Sequence, residues 1–346
     1  MSKKLFTFVF AALSYSFILS QTSCANLSPK SQCQVQNHAL FDLGSGSTKL
    51  SVFETNSCSP SIKMLHKKSL KVDYKEDLIL SGDKKEFSEK IQSVGKGALR
   101  ELKDEAKKFN PKSHRGVATA AFREATNGQL VINSFQKDLG IELEIISQER
   151  EAQLALLAVA NHVDPKTLLV WDIGGGSFQF VSFGEDSQKV EIFEGQLASV
   201  SFKEKVINEI KKKAQSQSPN PLSLKEVEAA RALVQTELKE KLTASFLKAK
   251  SKEIVVGIGG VHYSSLRHHL KKDEFTAHDI DEWISLNHRK KDKQLHDNYA
   301  STVVTNMILV SEIMKILEIP KIKAMNVSLV EGLLVQNPSQ SPLLKK

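Results

Sequence analysis

The stretch WDIGGGSFQF, from Trp171 to Phe180, places an aspartate and three glycines directly after an apolar run. This pattern predicts a buried strand, a tight glycine turn and the start of a second strand. An earlier near-copy, FDLGSGSTKL, runs from Phe41 to Leu50. Because the same Asp-x-Gly-x-Gly-Ser hairpin opens each half of the chain, we expect two similar domains that face each other across a cleft.

The rest of the chain alternates predicted strands with predicted helices, which is typical of an α/β protein. The 346 residues suffice for two domains, and the 40% hydrophobic and 25% charged residues are ordinary for a globular protein. HRGVATAAF, at residues 114–122, predicts a buried strand that runs into a loop. We expect a first domain over residues 37–160, a second over 161–336 whose final helix is expected to pack back on the first, and a flexible tail over 337–346.

The N-terminus has the pattern of a secretory signal peptide, which we assign to residues 1–23. Lys3 and Lys4 precede an apolar stretch that is short for a membrane span, and small residues follow it. We therefore expect an exported protein that is periplasmic or attached to the cell envelope through a lipid on Cys24. An uncleaved membrane anchor is the alternative.

The chain has three cysteines, Cys24, Cys33 and Cys58. In an oxidising compartment a pair of them should form a disulfide bond. Cys33 and Cys58 fall opposite each other if the strands of the first hairpin pair about a turn centred between Ser45 and Gly46, so we predict a Cys33–Cys58 disulfide. Three unpaired thiols are the alternative, and no cysteine and histidine spacing suggests zinc.

The glycine turns are candidate phosphate-binding sites. Glycine lets the backbone approach a ligand closely, and successive N–H groups in such a turn form a concave site for an anion. A third glycine turn lies at Gly257–Val261. A lone glycine hairpin is more often structural, but this combination predicts a cleft that handles phosphate groups. The predicted phosphate-binding residues are Gly44, Ser45, Gly46, Ser47, Gly174, Gly175, Gly176, Ser177, Gly259 and Gly260.

Two aspartates are candidate metal ligands. Asp42 and Asp172 each lie at the end of a predicted strand, where a carboxylate can hold Mg²⁺ or another divalent cation beside phosphate oxygens. The formal net charge of +8 also favours an anionic ligand, although each basic run could equally be a solvated helix face. Aromatic side chains that could stack bases are scarce, so we expect no nucleic-acid partner.

Five segments resemble the exopolyphosphatase and guanosine pentaphosphate phosphohydrolase (Ppx/GppA) family of the actin-like ATPase superfamily. The resemblance extends from about His38 to Leu334 and implies two actin-like (ribonuclease H-like) domains. The second and third segments distinguish this family from kinases and actins. In chain order, the segments are FDLGSGSTKLSVFE (41–54), GVATAAFREATNG (116–128), EIISQEREAQLA (144–155), LLVWDIGGGSFQFV (168–181) and VVGIGGV (255–261).

The resemblance also implies an activity and its residues. Family members remove the terminal phosphate of a phosphoanhydride chain with Mg²⁺ or a similar cation, and they often form homodimers. By motif position, Glu151 matches the base that activates or orients the attacking water, Arg123 matches a phosphate-binding arginine, and Asp172 matches a metal-associated aspartate. Without the resemblance, Glu151 would be interpreted as a solvated acid in the first turn of a helix.

Departures from the family pattern keep a second hypothesis open. The family usually has glutamate where this chain has Gln179, and glutamine cannot act as a base and binds a hard cation less well. Our leading hypothesis is an exported phosphohydrolase that acts on inorganic polyphosphate or a related phosphoanhydride. The alternative is a catalytically weak protein that binds polyphosphate or a nucleotide. A kinase of the same superfamily is a third hypothesis, which the family-specific segments argue against.

Overall fold

Two mixed β-sheets form the framework of the protein. The computed structural model describes residues 33–184, 190–213, 216–239 and 254–335. The strands of the first sheet are β1 (Val35–Leu43), β2 (Ser47–Asn56), β3 (Ser59–Lys71), β4 (Ser113–Ala118) and β5 (Glu142–Ile145). Their order across the sheet is β3-β2-β1-β4-β5.

The second sheet repeats the arrangement of the first. Its strands are β6 (Leu168–Ile173), β7 (Phe178–Phe183), β8 (Val190–Gly195), β9 (Ile254–Ile258), β10 (Glu274–Phe275) and β11 (Ile322–Ala324). Their order is β8-β7-β6-β9-β11-β10, which matches the first sheet strand for strand apart from the extra edge strand β10. β1 and β6 each pair antiparallel with the next strand and parallel with β4 or β9. The sequence repeat is therefore a repeat of topology.

Helices connect the strands. They are α1 (Tyr74–Leu80), α2 (Glu89–Ala106), α3 (Ala120–Glu124), α4 (Gly128–Leu139), α5 (Gln148–Ala160), α6 (Ser199–Lys205), α7 (Leu224–Lys239), α8 (Arg267–Leu270), α9 (Ala277–Asn287), α10 (Ala300–Ile316) and α11 (Gly332–Val335). π-helical segments are Val206–Lys211, after α6, and Gly260–Leu266, before α8. Short 3-10 helices are Gly82–Lys84, Lys107–Phe109, Pro165–Thr167, Asp292–Gln294 and Leu329–Glu331. No helix of the described residues is both long enough and apolar enough to span a bilayer.

The first glycine hairpin has the register that the sequence predicts. Asp42 lies opposite Lys49, so the turn has its expected centre. Cys33 and Cys58 are both disulfide-bonded, as the predicted bridge requires. Cys24 and the predicted signal peptide lie outside the described residues.

Apolar side chains bind the two sheets and helix α5 into one framework. A buried cluster contains Leu40 of β1, Val170 of β6 and Leu154 of α5, so it joins both sheets. Helix α11 packs on α5 so closely that a Cβ on Gly332 would lie 2.3 Å from the carbonyl oxygen of Leu154. This close packing requires glycine at that position.

The segment after β4 differs from the prediction. We expected a loop, but residues 120–124 form the short helix α3. The reason is tertiary packing, because Phe122 lies in an aromatic cluster with Tyr74 and Phe87, at ring centroid distances of 4.7 and 4.9 Å. Burial of this face holds the turn in a helical conformation and fixes the position of Arg123.

Candidate active site

The three glycine turns line one cavity of about 220 Å³. All ten predicted phosphate-binding residues contribute to its wall, and so do Asp42, Asp172 and Glu151. The reason is topological. β1 and β6 occupy equivalent places in the two sheets, and the turns that follow these two strands lie against each other.

The first two glycine turns touch each other. In the second turn the N–H of Gly174 donates to the carbonyl of Ser177 at 3.0 Å, and Gly44 closes the first turn in the same way. A Cβ on Gly175 would lie only 2.8 Å from the Cβ of Ser45. The approach of the two turns therefore depends on the absence of a side chain at Gly175.

The third glycine turn packs against Asp172. Gly259 has a φ of 84°, in the left-handed region that favours glycine. A Cβ at this position would lie 2.7 Å from Oδ1 of Asp172. Glycine thus leaves space for the carboxylate at the cavity wall.

Glu151 lies in the first turn of α5, where Ser147 caps the helix by accepting a backbone hydrogen bond. It is not a solvated acid, because only 7% of the residue is exposed. Arg123 Nη1 donates to Oε2 of Glu151 at 2.7 Å and to the carbonyl of Ile146 at 3.0 Å, and its Nη2 lies 3.4 Å from Oγ of Ser177. Arg123 therefore holds Glu151 beside the second glycine turn, although Arg123 itself does not line the cavity.

Burial disfavours ionisation of the cavity carboxylates. It raises the pKa of Glu151 to about 7, against the attraction of Arg123 and with further contributions from Asp172 and Asp42. Burial also raises the pKa of Asp172 to about 6, which Lys49 opposes and Asp42 reinforces. A carboxyl group with a pKa near neutrality is suited to accept and release a proton during a reaction.

The two aspartates differ in their contacts. Asp42 Oδ2 lies 2.8 Å from Nζ of Lys49, whereas no described residue forms a salt bridge with Asp172. Within the described ranges, no group of three or more His, Cys, Asp or Glu side chains is arranged to hold a metal ion. Mg²⁺ needs fewer protein ligands, because one or two carboxylates usually bind it together with water and substrate phosphates. Asp172, a buried carboxylate without a salt bridge among the described residues, therefore fits a divalent cation beside the predicted phosphate-binding turns.

Gln179 lies directly opposite Asp172 on the adjacent strand β7. It is buried, and its Nε2 donates to Oγ of Ser177 at 3.2 Å. Its Oε1 has no hydrogen-bond partner in the described part of the chain. A glutamate here would place a second negative charge beside Asp172, so the glutamine lowers the negative charge available to a cation.

Two groups of cavity residues were not predicted from the sequence. The first group consists of three lysines that reach the cavity from β2 and β3, namely Lys49, Lys67 and Lys71. Alternate residues of a strand lie on the same face, so the spacing of Lys67 and Lys71 on β3 is a signal that could have indicated their shared face. Ser265 and Asn306 also line the cavity, but no sequence signal brings them together. Ser265 Oγ and Asn306 Oδ1 are buried without a hydrogen-bond partner among the described residues.

Comparisons with known proteins agree with the fold. The sequence model of the Ppx/GppA phosphatase family matches residues 51–340. The structure of the Ppx/GppA enzyme from Aquifex aeolicus is similar with a TM-score of 0.66 and 20% identity, over 88% of this chain and 100% of that one. An exopolyphosphatase from Cytophaga hutchinsonii is similar with a TM-score of 0.69 and 18% identity, over 89% and 99% of the two chains. These structures share the predicted fold, two actin-like halves that face each other across a cleft.

Proposed function

Since this chain belongs to the Ppx/GppA phosphatase family, we propose that it is a phosphohydrolase that releases the terminal phosphate of inorganic polyphosphate or a related phosphoanhydride. The observation that carries the proposal is the contact between Arg123 and Glu151, 2.7 Å long. This contact holds the buried carboxylate of Glu151 in the wall of the cavity that the glycine turns line.

Glu151 is proposed to act as the base. The oxygen of the attacking water forms a bond to the terminal phosphorus, and the bond from that phosphorus to the bridging oxygen breaks. One proton of the water passes to the carboxylate of Glu151, and the shortened chain leaves with the bridging oxygen. The pKa of Glu151, about 7, suits proton transfer at neutral pH. Arg123 keeps the carboxylate in position for the water.

The glycine turns are proposed to bind the phosphate chain. Their backbone N–H groups can donate to phosphate oxygens, and no side chain obstructs the approach. Asp172, with Asp42 beside it, would hold a divalent cation such as Mg²⁺. When bound, such a cation would offset negative charge on the phosphate oxygens.

Phosphate release from polyphosphate in the presence of Mg²⁺ tests the proposed function. We expect release by the wild-type protein and a loss of at least about 100-fold for Glu151→Gln. Glu149→Gln is the matched control, because Glu149 lies in the same helical turn but is exposed and accepts a hydrogen bond from Gln153. Equal rates for the wild type and Glu151→Gln would contradict the role of Glu151.

A catalytically weak binding protein is the second candidate function, and Gln179 favours it. The glutamine leaves a neutral side chain opposite Asp172, where a further carboxylate would strengthen cation binding. Tight binding of polyphosphate without phosphate release would identify this function. Consumption of ATP that depends on an acceptor would instead support a kinase.

We also propose that the protein is exported. The charged and apolar pattern of residues 1–23 supports this proposal. Fractionation of cells that express the full chain should find the protein in the periplasm or with the envelope membranes. Release from the membranes by Cys24→Ser would support lipidation, and full-length protein in the cytoplasm would contradict export.

A further inference from the structure

Three lysines line the cavity, and their partners differ. Lys49 Nζ lies 2.8 Å from Oδ2 of Asp42, and Lys71 Nζ lies 3.3 Å from a carboxylate oxygen. Lys67 Nζ instead donates to the neutral Oδ1 of Asn326 at 2.8 Å. No carboxylate of the described residues lies within salt-bridge distance of Lys67. Within the described ranges, Lys67 is therefore a cavity cation whose charge no direct partner neutralises.

Strand pairing defines where Lys67 lies relative to the centre of the site. Asp42 lies opposite Lys49, and Lys49 lies opposite Ser69, so these residues form a row across β1, β2 and β3. Lys67 precedes Ser69 by two residues on β3 and therefore projects from the same face. Two residues of a strand span about 7 Å. Lys67 thus lies one step along the cavity from the pair of Asp42 and Lys49.

The charges around Lys67 favour an anionic ligand. Its side chain is accessible to solvent, yet the surrounding protein and the charge of Lys49 lower the pKa of Lys67 to about 8, against the attraction of Asp42 and Glu331. A negatively charged phosphate oxygen at Nζ of Lys67 would counter both effects on this pKa, that of the surrounding protein and that of Lys49. It would also replace a hydrogen bond to a neutral amide with a charge-assisted one, which is stronger.

We propose that Lys67 binds the part of the substrate that extends beyond its first few phosphate groups and makes the protein prefer long phosphoanhydride chains to short ones. This inference rests on the proposed hydrolysis of such chains. The other end of β3 suits a polyanion less well, because its cavity lysine, Lys71, is already paired with Asp73, whereas Lys67 has only the neutral Asn326 as a partner among the described residues. The chain is thus expected to run from the glycine turns past Lys49 and Lys67.

Phosphate release from tripolyphosphate and from long-chain polyphosphate tests the proposal. Lys67→Gln should lower the ratio of kcat/KM for the long chain to kcat/KM for tripolyphosphate about tenfold, which corresponds to the loss of one hydrogen bond to a charged group. Lys67→Arg should restore most of the ratio, because it keeps the charge. Lys63→Gln is the matched control, since Lys63 is exposed on the same strand and lies outside the cavity wall.

The outcomes separate this inference from the proposed function. An equal loss with both substrates would overturn the role of Lys67, because a structural effect of the substitution lowers both rates alike. If the wild type releases phosphate from neither substrate, the proposed hydrolysis fails, and calorimetric titration with long-chain polyphosphate then decides on Lys67. Weaker binding by Lys67→Gln than by Lys63→Gln would support the role, and equal binding by the two variants would overturn it.

Discussion

Arg123 donates from Nη1 to Oε2 of Glu151 at 2.7 Å, while its Nη2 lies 3.4 Å from Oγ of Ser177 in the second glycine turn. One guanidinium group thereby orients the proposed base and reaches the opposite half of the cleft. The planar fork of arginine makes both contacts possible, whereas a lysine ammonium is a single point charge. This relationship explains why a side chain outside the cavity wall is expected to control the reaction inside it.

Substitutions of Arg123 should separate its charge from its shape. Arg123→Gln removes the positive charge that opposes the effect of burial on Glu151, so the pKa of Glu151 should rise further. We therefore expect the acidic limb of the pH profile of kcat/KM to move to higher pH. Arg123→Lys should keep the limb near its wild-type position but lower kcat on the order of 100-fold, because it cannot make both contacts. Identical profiles for the wild type and Arg123→Gln would contradict this role.

Ionised Glu151 should destabilise the metal-free fold. Burial raises its pKa from 4.5 to about 7, so between these pH values the folded protein keeps a proton that the unfolded chain has lost. Stability therefore falls as the pH rises through this range, by about 1.4 kcal/mol for each unit of pKa increase. Glu151→Gln has no ionisable group at this position, so its free energy of unfolding should increase relative to that of the wild type as the pH rises from 4.5 to about 7. Above pH 7 the difference between the two proteins should stay constant.

Urea denaturation with a chelator present, at several pH values, measures this effect. The exposed Glu149→Gln variant should show no such trend. A stability difference between Glu151→Gln and the wild type that does not depend on pH would show that burial does not perturb Glu151.

The substitution Gln179→Glu should improve cation-dependent activity. It places a carboxylate directly opposite Asp172, so the Mg²⁺ concentration for half-maximal activity should fall and the rate should rise. The metal-free Gln179→Glu variant should be less thermally stable than the wild type above neutral pH, because two buried negative charges repel each other. Gln129→Glu, at an exposed position of α4, is the control. An unchanged Mg²⁺ dependence would show that the site functions without this carboxylate.

The contact between the glycine turns should tolerate no side chain. In Gly175→Ala the new Cβ would lie 2.8 Å from Ser45 and 3.3 Å from Val200, so the turns must separate. We expect a loss of about 1–3 kcal/mol in stability and weaker binding of the phosphate chain. Gly97→Ala is the control, because a Cβ there meets no atom within 4 Å and alanine is favoured inside a helix by roughly 0.5–1 kcal/mol. Thermal unfolding measures the change in stability, and the KM for polyphosphate measures the change in binding.

Much of the fold could be predicted from local sequence patterns. The repeated Asp-x-Gly-x-Gly-Ser hairpin predicted the two related halves, and the register of Asp42 with Lys49 confirms the centre of the first turn. Helix α4 ends, as predicted, where Gly140 adopts a left-handed conformation with φ of 58°. These features depend on periodicity and on backbone conformation within a few residues, which the sequence records directly. Helix α3 was missed because its conformation depends on aromatic packing with distant residues.

The sequence by itself determined which residue types could handle phosphate: glycine turns followed by serine, strand-end aspartates, and a glutamate and an arginine in family-like segments. Only the tertiary structure decided how they act. Among the described residues, it paired Asp42 with Lys49 and left Asp172 without a salt bridge, buried Glu151 against Arg123, and gave Lys67 only a neutral partner. Charge compensation and desolvation depend on residues that are far apart in the chain, so no local pattern can specify them.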